Sequence, residues 1–497
     1  MAREAMIAHV SRDYLGALRR YLFAFKVQPS LAPHFHEEFM TLLRDSSSLE
    51  STSLPPRDLL PLLTLAVSLF PDEPEPLAAL ATVQYKSGAL RSSISTWEKL
   101  LKISPLSLLA LESRDNLCSS MVDRWHFRML NDEQRNRGFQ EAIGRAVAEG
   151  RKTVLDVGCG TGFLSILAAR EGAVRVVGCD LNEAMCEMAR EAVNVNRVRE
   201  GVVEVLNVNS KNLTLKEEER VGLVVSETAD CGLLGERMLG SLQSAKETLT
   251  VSGGRIVPSK ARLHVMLLAS PFLKSMCVIN PAALVGFEIP SSLRLEPLDP
   301  YLCEYIRECP YSPLSAQTPS LQFDIPEALD ALPHVVGFPV TATQDGSVDA
   351  IAMWWDMWLD DDCFITTTPH RECASGGKIC SAWEQAVFVP PNQVSPVISK
   401  GDAVLIDVAC TPKCVHVRLS AEPQGLQQRS VSVGERDVSV LNDKGRNQAY
   451  DKAIRKALAQ VRGGRGRAVD LSRGWSITCL MAARAGARTF LEDCRLP

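Results

Sequence analysis

The chain has 497 residues, of which 46% are hydrophobic and 23% charged, and a formal net charge of −5. That length predicts about three domains, and the composition excludes wholesale disorder and fibrous classes. The slight acidity argues against a partner held by nucleic-acid or membrane-surface electrostatics.

The N-terminus, MAREAMIAHVSRDYLGALRR, scatters charges through the stretch where a secretory signal needs an unbroken apolar run. The longest apolar run, LLPLLTLAVSLF at 59–70, is too short for a membrane helix. Fifteen cysteines occur without paired C-x-x-C knuckles, so the expectation is an intracellular chain with reduced thiols and no disulfides. Residues 75–105 carry apolar side chains at helical spacing in two blocks, hinged at Gly88 and closed by Pro105. Leu77, Leu80, Gly88, Ser93, Trp97, Leu100 and Pro105 sit where a tetratricopeptide repeat places its small, large and terminating residues, so this hairpin resembles one. Because such a unit cannot bury its apolar face alone, flanking helices are expected on both sides.

Between 152 and 257 the short runs TVLDVG, VRVVGCD, VVEVLNV and GLVVSE alternate with helical text. This predicts an α/β fold of parallel strands with helical crossovers. After Pro258 short alternating stretches such as ARLHVMLLAS and DAVLIDVAC predict mostly antiparallel β structure, with a barrel as the expected form.

The first strand runs into Gly158-Cys159-Gly160-Thr161-Gly162 and then a helix. Glycines there allow a tight turn and close ligand approach, and the helix start offers free N–H groups. Phe163 stands where a dinucleotide fingerprint has its third glycine, which argues against a nicotinamide enzyme. Asp180 ends the next strand about twenty residues on, the spacing at which a carboxylate meets ribose hydroxyls. The fourth strand runs into SETADCGLLGERM, which puts Glu227 and Glu236 on one loop beyond the carboxyl edge of the sheet. Two such carboxylates can serve as an acid/base pair or clamp a planar guanidinium, and charge matching favours the guanidinium.

The segments HFRMLNDEQR, VLDVGCGTG, SETADCGLLGERM and SAWEQAVF occur in an order that resembles the protein arginine methyltransferase family, over about 125–390. The resemblance implies a Rossmann-like, S-adenosylmethionine-dependent methyltransferase domain at 116–258 and a β-barrel substrate domain with a dimerisation-arm-like insertion at 259–430. A helical tetratricopeptide-like region at 1–115 precedes them. It further implies Glu227 and Glu236 as the catalytic pair, and Arg135, Gly158, Gly160, Gly162, Asp180, Ser210 and Lys211 as cofactor residues. Met129, Asp230 and Trp383 would contact the substrate, with no metal. Expected partners are proteins with exposed arginines, RNA-processing proteins among them, with no membrane or direct nucleic-acid partner. The expected location is the cytoplasm, with the nucleus as a second site.

Two departures from the family pattern stand out. The usual Tyr-Phe-x-x-Tyr helix is missing, and a threonine-histidine-tryptophan loop reads Ser381-Ala382-Trp383, so Asp132 loses its expected histidine partner. The extra room, with Asp230 close by, implies monomethyl and symmetric dimethyl products.

Residues 439–458 repeat 128–147, pairing Asp132 with Asp443 and Arg135 with Arg446. AVDLSRGWSITCLMAARAGA then repeats the glycine-turn segment with Ser472, Trp475 and Ser476 replacing Gly158, Thr161 and Gly162. Residues 431–497 are therefore expected to open a second, degenerate methyltransferase module, truncated so that an intramolecular pseudo-dimer is lost. A catalytically inactive interaction protein is the alternative reading. Cys363, His370, Cys373, Cys380, Cys410, Cys414 and His416 are too irregularly spaced to predict a zinc site, and RGGRGR at 462–467 reads as the loop before a strand.

Overall fold

The computed structural model describes residues 2–11, 13–47, 56–122, 125–288, 293–297, 300–325, 327, 334–373, 375–390, 395–420, 429–433, 435–461, 466–470 and 477–491. Two compact units divide the chain, Met1–His126 and Phe127–Pro497.

The first unit is helical: α1 (Ala2–Val10), α2 (Tyr14–Val27), α3 (His36–Ser47), α4 (Pro56–Leu69), α5 (Pro74–Lys86), α6 (Leu90–Ile103) and α7 (Leu108–Met121). Gly88, at φ +81°, makes the α5–α6 turn that the sequence foretold, since only glycine takes that conformation without strain. Leu77, Ala81, Trp97 and Leu100 from these helices bury together with Ala110 and Leu117 of α7. Ser93 is small enough to lie flat on α5, where its hydroxyl donates to the Ala81 carbonyl at 2.7 Å. Helix α7 thus supplies the neighbour that the hairpin requires, and it runs beyond residue 115.

The second unit starts with α8 (Trp125–Asn131) and α9 (Glu133–Ala148), followed by β1 (Thr153–Val157), α10 (Phe163–Arg170), β2 (Arg175–Asp180), α11 (Glu183–Val195), β3 (Val203–Asn207), β4 (Val221–Ser226), α12 (Met238–Thr248) and β5 (Thr250–Val257). The strands form one parallel sheet in the order β3-β2-β1-β4-β5. Val154, Leu155, Val176, Val177, Leu223, Val224 and Val225 are all buried, as strands covered on both faces require. The order reverses between β1 and β4, and the crevice beyond the strand ends at such a reversal is where open α/β sheets bind ligands.

From β6 (Lys260–Ala269) onward the chain is mostly antiparallel β. β6 pairs through Lys260–Leu268 with Ala350–Trp358 inside an eight-stranded sheet, and a three-stranded and a two-stranded ladder, His334–Thr341 with Ala403–Thr411 and Cys414–Leu419, and Gly346–Ser347 with Val397–Ile398, lie beside it. Alternation sorts the two faces. Leu263, Val265, Leu267, Met353, Trp355 and Met357 join the core shared with the parallel sheet, while Met266, Leu268, Ala352 and Trp354 pack a second cluster on the other side.

The repeat seen in the sequence is also a repeat of contacts. Asp132 caps α9 by accepting the Arg135 N–H at 2.9 Å, and Asp443 caps Lys444–Ala459 by accepting the Arg446 N–H at 2.8 Å. Asn136 donates to the Leu130 carbonyl at 2.9 Å, as Asn447 does to that of Leu441 at 2.9 Å. Arg467–Asp470 and Arg488–Leu491 pair in parallel as β1 and β2 do. Ser472, Trp475, Ser476 and Arg462–Arg465 of the tract at 462–467 lie outside the described residues. Ile279 and Leu284 join a cluster with Val433, Val438, Leu441, Ile477 and Met481, so the segment after β6 packs on the residues that begin the repeat.

Candidate functional site

The glycine turn is built as expected. Gly158, Gly160 and Gly162 adopt φ of +73°, +51° and +78°, left-handed values that disfavour any residue with a Cβ. A Cβ on Gly158 would lie 2.5 Å from Thr228 Cγ2, and one on Gly162 would lie 3.0 Å from Ala189 Cβ. Asp180, at the end of β2, accepts the Gly160 N–H at 2.9 Å and the Asn182 N–H at 2.8 Å. The acidic strand end and the glycine turn thus meet directly.

Behind the turn, Asp156 is fully buried. The Ser165 hydroxyl donates to its Oδ2 at 2.6 Å, while Oδ1 has no hydrogen-bond partner. Burial outweighs that hydrogen bond and pushes its carboxyl up to about 6. Burial also raises the Cys159 thiol above its usual range, which removes it as a nucleophile.

Ser210 is buried at the start of the short helical turn Ser210–Asn212, and Lys211 is exposed. The Asn209 side chain caps this turn by accepting the Lys211 N–H at 3.0 Å. Met129 is half-buried against the main core.

Glu227 immediately follows β4, with only 7% of its surface exposed. Arg135, on the first turn of α9, meets it: Nε donates to Glu227 Oε2 at 3.0 Å, and Nη2 bonds the same oxygen. Arg135, expected among the cofactor residues, has the first glutamate of the loop as its partner here. A buried guanidinium must have an anion, and Glu227 is the one that the end of β4 presents to it. Glu227 Oε1 receives a long contact from the Ala229 N–H at 3.4 Å. Glu236 is exposed at the far end of the loop, just before Arg237, whose φ of +64° turns the chain into α12.

The β-rich region holds this loop by its backbone. Trp383 Nε1 donates to the Ala229 carbonyl at 2.7 Å, and Trp355 Nε1 donates to the Asp230 carbonyl at 3.1 Å. The two indoles pack edge to face with centroids 5.0 Å apart. Trp383, expected to contact substrate, is buried here and acts on the loop. Asp230 accepts the Gly235 N–H at 2.9 Å and the Tyr301 hydroxyl. Burial, and then the Asp230 charge, hold that phenol protonated well above its usual range. Gly232 and Gly235 leave room for this packing, since a Cβ would fall 2.3 Å from the Tyr301 ring and 2.3 Å from Asp230 Oδ2 respectively.

Asp132, which lacks the family's histidine partner as expected from the sequence, is held by the turn itself. Its Oδ2 accepts the Ser381 N–H at 2.6 Å and the Ala382 N–H at 2.8 Å. Two backbone donors therefore do the holding where an imidazole was expected. Sequence reasoning missed Tyr301, Trp355, Tyr305 and Arg128 as parts of this region. The paired tryptophans of AIAMWWDMW were the available signal, because an alternating strand must turn one indole toward each face.

Among the described residues, no group of three or more His, Cys, Asp or Glu is placed to hold a metal ion, and no helix is long and apolar enough to cross a membrane.

Residues 141–236 match the family model of ribosomal protein L11 methyltransferase (PrmA). Protein arginine N-methyltransferase 9 of Homo sapiens is 29% identical over 433 residues, covering 80% of this chain and 50% of that protein. The chain therefore spans about half the length of that relative. Arginine N(omega)-methyltransferase of Streptomyces achromogenes subsp. streptozoticus is 33% identical over 327 residues, covering 64% of this chain and 85% of that protein. A solved structure, the Trypanosoma brucei PRMT1 enzyme-prozyme heterotetrameric complex with AdoHcy, aligns with a TM-score of 0.48 and 24% identity over 62% of this chain and 96% of that chain.

Proposed function

This chain belongs to the protein arginine methyltransferase family, and we propose that it transfers methyl groups from S-adenosylmethionine to guanidinium nitrogens of protein arginines, giving monomethyl and symmetric dimethylarginine. The observation that carries this reading is Glu227: a buried carboxylate at the ligand edge of the sheet, already bonded to a guanidinium through one oxygen. A carboxylate in that setting prefers a planar, delocalised cation to an ammonium.

The residues present fit the cofactor. Three left-handed glycines open the turn at the N-terminus of α10, where backbone N–H groups favour an anionic or polar ligand. Asp180 ends β2 beside that turn, suited to hydroxyl groups of a ribose, and the buried Ser210 and neighbouring Lys211 border the adenine end. When bound, S-adenosylmethionine supplies an electrophilic methyl on a sulfonium. The chain's own part is positional. Glu227 and Glu236 draw the guanidinium charge toward two of its nitrogens and leave the third to attack. Arg135 orients Glu227 through its Oε2, and the Trp383 and Trp355 indoles fix the loop.

Asp230, with its tyrosine partner, narrows the acceptor end and supports the symmetric product; asymmetric dimethylarginine in a digest would refute that part. The helical N-terminal unit, resembling tetratricopeptide repeats around 75–105, serves to recruit acceptors, for which RNA-processing proteins in the cytoplasm and nucleus are our candidates. Calorimetric titration of S-adenosylmethionine into the chain tests the core of the proposal. Micromolar binding that Asp180→Ala removes is expected. A soluble protein that binds none would overturn it in favour of an interaction protein without catalysis.

A further inference from the structure

We infer that Arg128 is a positioning residue for this transfer, acting through Tyr305 and the Ser381–Ala382–Trp383 turn on the loop that carries Glu227. The inference rests on the methyltransferase reading for its kinetic part and on geometry alone for the rest.

Helix α8 buries none of its side chains, and Phe127 and Leu130 are 59% and 38% exposed. Met129 packs half-buried against the main core, so apolar burial holds the helix only in part. Its tie to the β-rich region is polar: Arg128 pairs with Glu384, donates to the Tyr305 hydroxyl at 3.3 Å and lies 5.4 Å from the centre of that ring. The Tyr305 hydroxyl in turn donates to the Ser381 carbonyl at 2.8 Å. The N–H groups of Ser381 and Ala382 bond Asp132 Oδ2 at 2.6 and 2.8 Å, and Asp132 Oδ1 takes the Arg135 N–H at 2.9 Å. Asp132 directly follows α8, so the bonds close a ring from α8 through the turn and back.

That ring grips the turn on both sides of Trp383, at Ser381 and at Glu384. The Trp383 indole reaches the Ala229 carbonyl at 2.7 Å, two residues past Glu227. An exposed ion pair by itself contributes little to stability. Here its effect is on position, and a displacement of about 1 Å at a reacting group can cost on the order of a hundredfold in rate. Because Arg128 uses only Nη1 toward both partners, a lysine ammonium can reproduce its donors.

The test compares Arg128→Ala, Glu384→Ala, Tyr305→Phe and Arg128→Lys. Methylation of an arginine-glycine peptide gives the kinetics, and the Trp383 indole N–H proton resonance, assigned with Trp383→Phe, gives the geometry. We expect the first three variants to lower kcat about tenfold while S-adenosylmethionine affinity stays within about twofold, and to shift the indole resonance. Arg128→Lys should keep kcat within about threefold and the resonance in place. An unchanged kcat and resonance, with only a lowered melting temperature, would overturn the inference, as would a lysine variant no better than alanine. Tyr305→Phe, which keeps the ring under Arg128, carries the test where an alanine variant does not fold. If the unaltered chain methylates no arginine peptide, the functional reading fails and the indole resonance alone decides whether Arg128 sets the turn.

Discussion

Arg135 and Glu227 form a buried pair in which Nε donates to Oε2 at 3.0 Å and the side chains are 4% and 2% exposed. Removing one member strands the other charge in a site that water hardly reaches. Arg135→Met and Glu227→Met are each expected to destabilise the second unit by about 3–5 kcal/mol, and the double variant Arg135→Met/Glu227→Met by less than the sum. Urea denaturation of the four proteins checks this, and additive losses would show that the pair is not coupled.

The glycine turn predicts a contrast between two alanines. Gly160→Ala meets nothing closer than Met185 Cε at 3.8 Å, so it should cost only the left-handed backbone strain of about 1–2 kcal/mol. Gly158→Ala adds a 2.5 Å collision with Thr228, next to Glu227, and should lower the melting temperature further and weaken the loop. Circular dichroism melts of the two variants distinguish these costs.

Asp156 gives the fold a pH dependence. Its folded value of about 6 lies above the ordinary 3.8, so the native state keeps a proton that the unfolded chain releases between those pH values. The resulting stability is full below the unfolded value and lost as pH rises through about 6, amounting to about 3 kcal/mol. In Asp156→Asn that loss is absent. The stability of the unaltered chain relative to this variant should therefore fall from pH 4 to pH 7, and a flat difference would rule the effect out.

Trp383→Phe and Trp355→Phe each keep an aromatic ring and delete one indole donor to the carbonyls of Ala229 and Asp230. Each should cost about 1 kcal/mol of stability but lower methyl transfer by about tenfold or more, because the loop loses its anchor. Initial rates set beside melting temperatures would expose a purely structural effect.

What was legible in the sequence was local or periodic. The glycine turn, the acidic end of β2 and the strand that delivers Glu227 each lie within one strand-turn-helix segment, where spacing dictates placement. The repeat was legible too, and its caps recur in space at Asp132 and Asp443. Pairings across the chain were not. Arg135 meets a glutamate 92 positions away, and nothing in either segment says which anion a buried guanidinium will find. Asp132 is satisfied by backbone N–H groups 249 and 250 positions on, and these leave no trace in residue identity. The sequence shows that the histidine is missing but not what takes its place.

The product of the reaction tests most directly whether Glu227 carries methyl transfer to arginine. The chain should be incubated with S-adenosylmethionine and an arginine-rich protein acceptor, alongside Glu227→Gln, and the hydrolysate resolved by mass spectrometry. Monomethylarginine and symmetric dimethylarginine that vanish in the variant are the predicted result. No methylarginine from the folded chain, or the same yield from Glu227→Gln, would contradict it.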